Sequence, residues 1–171
     1  AEYDAILPKD SFFVVNKGGM QSVLTENLKQ ILPFMEADLW ISGNSITATM
    51  KDHTLRKYNL QGELIDDFLI SNVDRLLYDT DEIRYTTAKN YDDEGNLTGE
   101  TAEAEPTPYQ KTANCKKYEA DIGWYGLMSP SGKVITPPRY CDITAIGYDL
   151  YLCKTDDIRG EVLNGKGVRV R

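Results

Sequence analysis

The sequence predicts an all-β domain, built as an array of short antiparallel β-hairpin repeats with a period of about 34. Three observations lead to this prediction: one motif recurs along the chain, its copies consist of short strand-like segments, and turn residues separate those segments. A fixed period of roughly 20 to 50 residues is typical of solenoids, propellers and similar arrays. We therefore expect a single domain over residues 1–171 whose hairpins bury their faces against neighbouring copies.

The best-preserved copy covers residues 124–143 and sets the period. An offset of 104 in the numbering places residues 22–33 on it, and an offset of 70 places residues 55–65 on it. The first two copies are therefore offset from each other by 104 − 70 = 34. These alignments give copies near residues 18–51, 52–85 and 122–155.

The two ends of the chain read as halves of one further copy. Residues 12–16 overlay residues 150–154 at an offset of 138, and residues 160–166 restart the element that begins at Gly126. Residues 1–17 and 158–171 thus form a split copy. Pairing of these halves would close the array in a propeller- or barrel-like way and remove its sheet edges, whereas an open array gives the same sequence pattern.

Within the best copy, strand and turn signals follow one another in order. Residues 125–128 are a short apolar run, and Ser-Pro-Ser-Gly at 129–132 is a turn, because proline presets φ and glycine adopts positive φ. Residues 133–136 return as a second strand that two prolines end. Residues 149–154 then alternate with period two, as a half-buried strand does. Residues 24–32 are the best helical candidate, but they align with this strand–turn–strand, so we predict no helix there.

Residues 86–117 have no clear counterpart, because the offset between the second copy and the best one is about two periods. One interpretation is an inserted polar hairpin with arms at residues 85–91 and 97–105 and a turn at residues 92–96. The other is a decayed repeat, because the Asn-Leu-x-Gly-Glu of the second copy recurs at residues 96–100. We favour the hairpin, since the residues after this echo lack the apolar pattern of the other copies.

Charge and hydropathy exclude several classes of partner. The net charge of −8 and the pI near 4.7 argue against nucleic acid, which needs a basic face, and against anionic membrane surfaces. The chain has no apolar run of about 18 residues, so we predict no membrane span. It carries no signal peptide, but it begins within a copy, so this says nothing about export. The cell envelope or secretion is favoured over the cytoplasm.

The three cysteines, Cys115, Cys141 and Cys153, show neither metal-binding spacing nor a Cys-x-x-Cys pair. Buried or unpaired thiols are the favoured interpretation. A Cys141–Cys153 disulfide is the alternative, because a single turn could bring these residues together.

The best copy resembles the WG-repeat family, also called KWG repeats. Units of that family carry an aromatic-Gly pair, a Gly-Lys turn, and then Pro and Tyr-Asp-x-Ile. In the best copy, Trp124 lies one place before the position of the family's Trp, which Tyr125 occupies. The first two copies have Gln21-Ser22 and Leu55-Arg56 instead of the aromatic-Gly pair. The resemblance implies an all-β, bacterial, protein-binding repeat array without catalytic residues. The matching residues are Tyr125-Gly126-Leu127, Gly132-Lys133-Val134-Ile135, Pro137-Pro138, Tyr140 and Asp142-Ile143.

No residue set predicts catalysis, cofactor binding or metal binding. His53 is the only histidine, and a catalytic base would need a positioned partner that the sequence does not suggest. The acidic residues 92–96 lack the spacing of a calcium-binding loop, so we interpret them as a solvated turn. Gly18-Gly19 and Gly165-Lys166-Gly167 are turn glycines, since no helix follows them to hold a phosphate.

Aromatic residues are the best binding candidates, because exposed rings on sheets anchor protein partners or stack on sugars. Trp124, Tyr125 and Tyr140 occupy repeat-defining positions, where we expect packing between copies. The predicted partner-binding residues are Trp40 and Tyr148, which lie beside glycine turns, and Tyr91 and Tyr109 of the insertion. We expect a non-catalytic module that binds protein. The alternative is recognition of cell-surface glycan, and an enzyme is disfavoured because no nucleophile, base and orienting group are apparent.

Overall fold

The computed structural model describes residues 1–84, 87–102 and 106–171. These residues form fifteen strands in small antiparallel sheets and no helix, so the all-β prediction is confirmed. Residues 24–32, the one helical candidate, begin in strand β3 and continue through a turn to a bridge at Gln30, which confirms the prediction of no helix there. The described part of the chain contains no helix long and apolar enough to cross a membrane.

The first two sheets follow one another along the chain. The first sheet has the order β1-β2-β3 and the second the order β4-β5-β6-β7. The first sheet consists of β1 (Ala5–Lys9), β2 (Phe12–Lys17) and β3 (Met20–Thr25). The second consists of β4 (Ala37–Ser42), β5 (Ser45–Met50), β6 (Leu55–Asn59) and β7 (Leu64–Asp66).

The second half of the chain forms two further sheets and a separate hairpin. The third sheet has the order β12-β11-β8 and the fourth the order β13-β14-β15. The third sheet consists of β8 (Asn72–Arg84), β11 (Thr107–Glu119) and β12 (Tyr125–Met128). The hairpin consists of β9 (Thr87–Tyr91) and β10 (Leu97–Ala102), and the fourth sheet of β13 (Asp142–Gly147), β14 (Leu150–Lys154) and β15 (Gly160–Asn164).

The hairpin interrupts the connection between β8 and β11. Its strands pair in the antiparallel sense around a turn at residues 92–96. The predicted arms began at Tyr85 and ended at Glu105; residues 85, 86 and 103–105 lie outside the described part of the chain.

One turn recurs through the fold. In each instance the first amide donates to the carbonyl of the fifth residue, the fourth residue has positive φ, and a polar side chain at the first position accepts from the fifth amide. Short Asn, Asp, Ser and Thr side chains suit that first position because they bond to nearby backbone amides, and glycine suits the fourth. The turns lie at residues 25–29, 59–63, 92–96, 129–133 and 164–168.

The sheets pack in two pairs. Val14 and Val23 of the first sheet lie against Leu39, Ile41 and Ile46 of the second in one buried cluster. A second cluster joins the third and fourth sheets, and a small third cluster sets Phe68 and Ile70 against the third sheet. The second cluster is built mainly from Leu76, Cys115, Leu127, Ile143, Tyr151 and Cys153.

The strand ladders of the described residues stay open. No ladder joins residues 1–17 to residues 158–171, so the closed alternative is not formed by pairing of these ends within the described residues. The accessible surface is 11264 Å². A compact protein of 19.3 kDa would expose about 8,500 Å² by the usual scaling with mass. The hairpin and the parts of β8 and β11 next to it, whose residues are almost all exposed, contribute to this excess.

Candidate functional site

The first sheet is apolar on both faces. Strand β2 carries the run Phe12-Phe13-Val14-Val15, whose side chains point alternately to opposite faces. Val14 lies opposite Val23 and packs against the second sheet. Val15 points to the other face, the outer face, together with Ile6 opposite it. An apolar run of this kind is typical of a strand that is covered on both sides.

The outer face of the first sheet contains an apolar pocket of 130 Å³. Val15 and Leu24 form its floor and are only 1% and 4% exposed. Ile6 and Leu28 form its rim and are 54% and 69% exposed. Tyr3 and Phe13 complete the lining. We call these six residues the first-sheet pocket.

Leu28 reaches this rim because of an unusual backbone conformation. It is the fourth residue of the turn at 25–29 and has a φ of 63°, in the left-handed region that favours glycine. The corresponding positions of the other turns are Gly62, Gly95, Gly132 and Gly167, all with positive φ. The first sheet alone therefore presents a large apolar side chain at this point.

The outer face of the fourth sheet is also partly apolar. Ile146 and Leu150 are exposed on β13 and β14, and Val168 and Val170 are exposed beyond β15. The buried cluster with the third sheet uses the other face, through Ile143, Tyr151 and similar residues. The first and fourth sheets thus both expose apolar side chains on their outer faces.

The predicted aromatic residues do not form one site. Trp40 on β4 is 68% exposed, and its cross-strand neighbour is Thr47. Tyr148 is exposed at the turn between β13 and β14, where its ring meets that of Tyr78 edge-on at 6.4 Å. Tyr91 is exposed on the hairpin, and Tyr109 of β11 is half-buried beneath the Arg84 guanidinium at 4.3 Å. Each residue belongs to a different sheet or hairpin.

The repeat-defining aromatics pack as structural residues to different degrees. Tyr140 is fully buried, and its hydroxyl donates to the Glu161 carboxylate and accepts from Arg139. Burial and the bond to Glu161 raise the pKa of Tyr140 to about 12. Tyr125 and Trp124 are half-buried, with the Lys117 ammonium 4.6 Å from the ring centre of Tyr125.

His53 has partners that sequence reasoning missed. Its ring stacks on Trp124 with 3.6 Å between centroids and 7° between planes, and its Nδ1 lies 3.7 Å from the Asp121 carboxylate. The turns at residues 50–54 and 120–124, which are far apart in the chain, meet here. They border a cavity of 240 Å³ that also includes Glu36, Asp38 and Lys51.

The contact between these turns links the second and third sheets. Besides the stacked rings, the Asp121 amide donates to the His53 carbonyl at 3.4 Å. Among the described residues that line the cavity, Thr49 alone carries a hydroxyl and none is a cysteine. The arrangement therefore offers a histidine–carboxylate pair that joins two sheets. The two turns occupy equivalent positions of the second copy and the best one, but this equivalence does not predict that they meet.

The cysteines are free thiols. Cys115 and Cys153 are buried, and Cys141 is half-buried with its Sγ 3.3 Å from the Lys154 carbonyl. Burial raises the pKa of Cys153 to about 12 and also raises that of Cys115. Within residues 1–84, 87–102 and 106–171, no three His, Cys, Asp or Glu side chains are grouped so that they could hold a metal ion.

Comparisons with known proteins do not assign a family. No family model matches the chain, and no curated protein matches it. Among solved structures, the chain is similar to a computationally designed protein called Ika8, with 16% sequence identity and a TM-score of 0.30. That alignment covers 100% of this chain and 74% of the designed one. The WG-repeat resemblance stays a prediction.

Proposed function

We propose that this chain is a non-catalytic, protein-binding module that engages its partner through the outer face of the first sheet. The observation that carries the proposal is the first-sheet pocket, an apolar concavity whose rim residues Ile6 and Leu28 are more than half exposed. Pockets and exposed apolar patches on soluble proteins mark interaction sites.

Burial of the exposed rim of this face would supply part of the free energy of a specific interface. Full burial of one large aliphatic side chain stabilises a complex by roughly 1.5–3 kcal/mol relative to leaving it exposed. Ile6 and Leu28 together offer two partly exposed side chains beside a buried floor. The net charge of −8 favours a partner with a neutral or basic surface around the contact.

Protein is favoured over glycan by the distribution of the rings. Glycan recognition by stacking needs exposed rings arranged along one groove. In the described part of the chain, Tyr148 is paired with Tyr78, while neither Trp40 nor Tyr91 has a second ring beside it. The scattered rings suit separate contacts at the edge of a protein interface better than a sugar-binding row.

The relationship to the WG-repeat family is part of the same proposal. It is supported by the recurrence of one turn at residues 25–29 and 59–63, and again at residues 129–133 and 164–168, with offsets of 34 and 35 within the two pairs. Arrays of such units use their surfaces for binding. On this view the polar hairpin and the exposed aromatics are features that distinguish one array from another.

The test is capture of partners from the native cell on the immobilised full chain. Wild type is compared with an Ile6→Ser/Leu28→Ser variant and with a Trp40→Ala variant. We expect a protein band that resists periodate and is lost with the first variant, because both rim residues become polar, but is retained with Trp40→Ala. Loss with Trp40→Ala alone would overturn the assignment to the first sheet. A captured species destroyed by periodate would favour glycan.

A further inference from the structure

The outer face of the third sheet is covered from within the chain. Phe68 and Ile70, which follow β7 and precede β8, pack against Tyr118 and Met128 on this face. The Phe68 ring meets the Tyr118 ring edge-on, with 5.8 Å between centroids. A short apolar segment therefore closes this face of the third sheet.

The first and third sheets share one backbone framework. The bridge between Leu24 and Gln30 has its counterpart, at an offset of 104, in the bridge between Met128 and Val134. At the other edge, the Asp4 amide donates to the Asn16 carbonyl at 2.8 Å, and the Ser71 amide donates to the Glu119 carbonyl at 2.8 Å. Corresponding positions can therefore be read directly from the strand pairing.

The pairing places Leu24 where the third sheet has Met128. Val15, opposite Ser22, takes the place of Tyr118, which lies opposite Gly126. The carbonyls of Leu32 and Thr136, again at an offset of 104, each accept a hydrogen bond from a side-chain hydroxyl. The donor is Ser22 in the first sheet and Tyr118 in the third. Gly126 leaves room for the Tyr118 ring, since a Cβ there would collide with it.

The segment that covers the third sheet corresponds, in the first sheet, to a segment with a smaller side chain in the place of Phe68. Asp4 and Ser71 are equivalent by their hydrogen bonds, and counting back from them along the chain aligns Tyr3 with Ile70 and Ala1 with Phe68. The first sheet thus has a methyl group in place of the Phe68 ring and an isopropyl group in place of the Tyr118 ring. Val15, in the place of Tyr118, and Tyr3, in the place of Ile70, both line the first-sheet pocket.

We infer that the first-sheet pocket accepts an aromatic side chain of a partner polypeptide, as the third sheet accepts Phe68. This inference rests on the proposed function and specifies what the partner must present. The pocket volume of 130 Å³ suits one ring, because a dry cavity of about 150 Å³ lined by Leu, Ile and Phe binds benzene. Its lining of aliphatic and aromatic side chains selects phenylalanine over a charged or amide side chain.

The test uses the full chain and a peptide copy of its own covering segment, Asp-Asp-Phe-Leu-Ile-Ser from residues 66–71. Methyl resonances of Ile6, Val15, Leu24 and Leu28 are followed by NMR as the peptide is added. We expect saturable shifts confined to these methyls, at least tenfold weaker binding of the peptide with Phe replaced by Ala, and no shifts at Met128. Shifts at Met128 alone would mean that the peptide displaces Phe68, and would overturn the assignment.

An Ala1→Phe variant is the matched control. The new ring should fill the pocket from within the chain, raise the melting temperature and abolish the peptide-induced shifts. Undiminished peptide binding by this variant would overturn the inference. An Ile6→Ser variant should also weaken peptide binding, because it makes the exposed rim polar without filling the pocket. Loss of peptide binding in both variants, by two different changes to the pocket, could not be attributed to misfolding of one of them.

Two further outcomes separate this inference from the proposed function. If the Ala1→Phe variant still captures the cellular partner, the chain binds protein but not by inserting a ring here. If sedimentation shows a concentration-dependent dimer that Ala1→Phe abolishes, the ring comes from a second copy, and the assignment to a foreign partner is overturned.

Discussion

At the scale of single residues, the turn positions decide what the surface presents. Four of the five recurrent turns have glycine at the left-handed position, and the turn at 25–29 has Leu28, with a φ of 63°. A left-handed backbone costs a residue with a side chain about 1–2 kcal/mol. Leu28 is 69% exposed, so little burial offsets that cost. Strain that persists at an exposed apolar residue is typical of functional positions.

A Leu28→Gly substitution should therefore stabilise the fold while it removes part of the pocket rim. We expect the free energy of unfolding in urea to rise by about 0.5–1 kcal/mol, because glycine adopts this backbone without strain. The matched control is Gly132→Ala, where φ is 91° and the new Cβ would have open space. That variant should lose about 1 kcal/mol. Destabilisation by Leu28→Gly would contradict the strain argument.

At the scale of strands and turns, much of the fold was predictable because the signals are local. Ser129 and Gly132 mark a turn by their own backbone preferences, and the hairpin turn at residues 92–96 carries the same kind of residues. The alternation in residues 150–154 fixes which side chains of β14 are buried. Each of these inferences uses residues within one turn or strand.

Sheet packing was less predictable because it depends on residues far apart in the chain. The boundaries of the sheets do not coincide with the boundaries of the copies that were aligned in the sequence. The second sheet, for example, begins at Ala37, within the copy near residues 18–51. The stacking of His53 on Trp124 follows from two turns, distant in sequence, that meet across two sheets. No periodic pattern within either turn encodes that meeting.

The first-sheet pocket was missed for a related reason. Its signal was present in Phe12-Phe13-Val14-Val15, a run that is apolar on both faces and so predicts a cover on each. What the sequence did not reveal is that one cover is incomplete. Ala1 and Phe68 align only by counting back from Asp4 and Ser71, whose amides make equivalent backbone hydrogen bonds, so side-chain similarity in the sequence does not pair them.

At the scale of the whole molecule, buried tyrosines tie the cores of the second half together and make its stability sensitive to alkali. Tyr118, Tyr140 and Tyr151 are fully buried, and burial raises the pKa of each, to about 12 for Tyr140. In the unfolded chain these phenols ionise near a pKa of about 10. The folded state therefore holds protons that the unfolded state releases.

Stability should accordingly be complete below about pH 10 and fall as the pH rises from there through about 12. Absorbance at 295 nm should show the exposed tyrosines ionising first and the buried three only together with loss of the far-ultraviolet circular dichroism signal. Tyr148→Phe, at an exposed position, should leave this transition unchanged. Ionisation of all tyrosines in one step, while the circular dichroism signal is retained, would contradict the burial of these three tyrosines.

Site-specific crosslinking measures whether the outer face of the first sheet contacts a partner protein in the cell. A photo-crosslinking phenylalanine derivative is placed at position 28 of the full chain. The control has the same derivative at Gln61, which is exposed and lies on the equivalent turn of the second sheet, at residues 59–63. We expect a discrete protein adduct from position 28 and none from position 61. No adduct from position 28, or the same adduct from both positions, would contradict this contact.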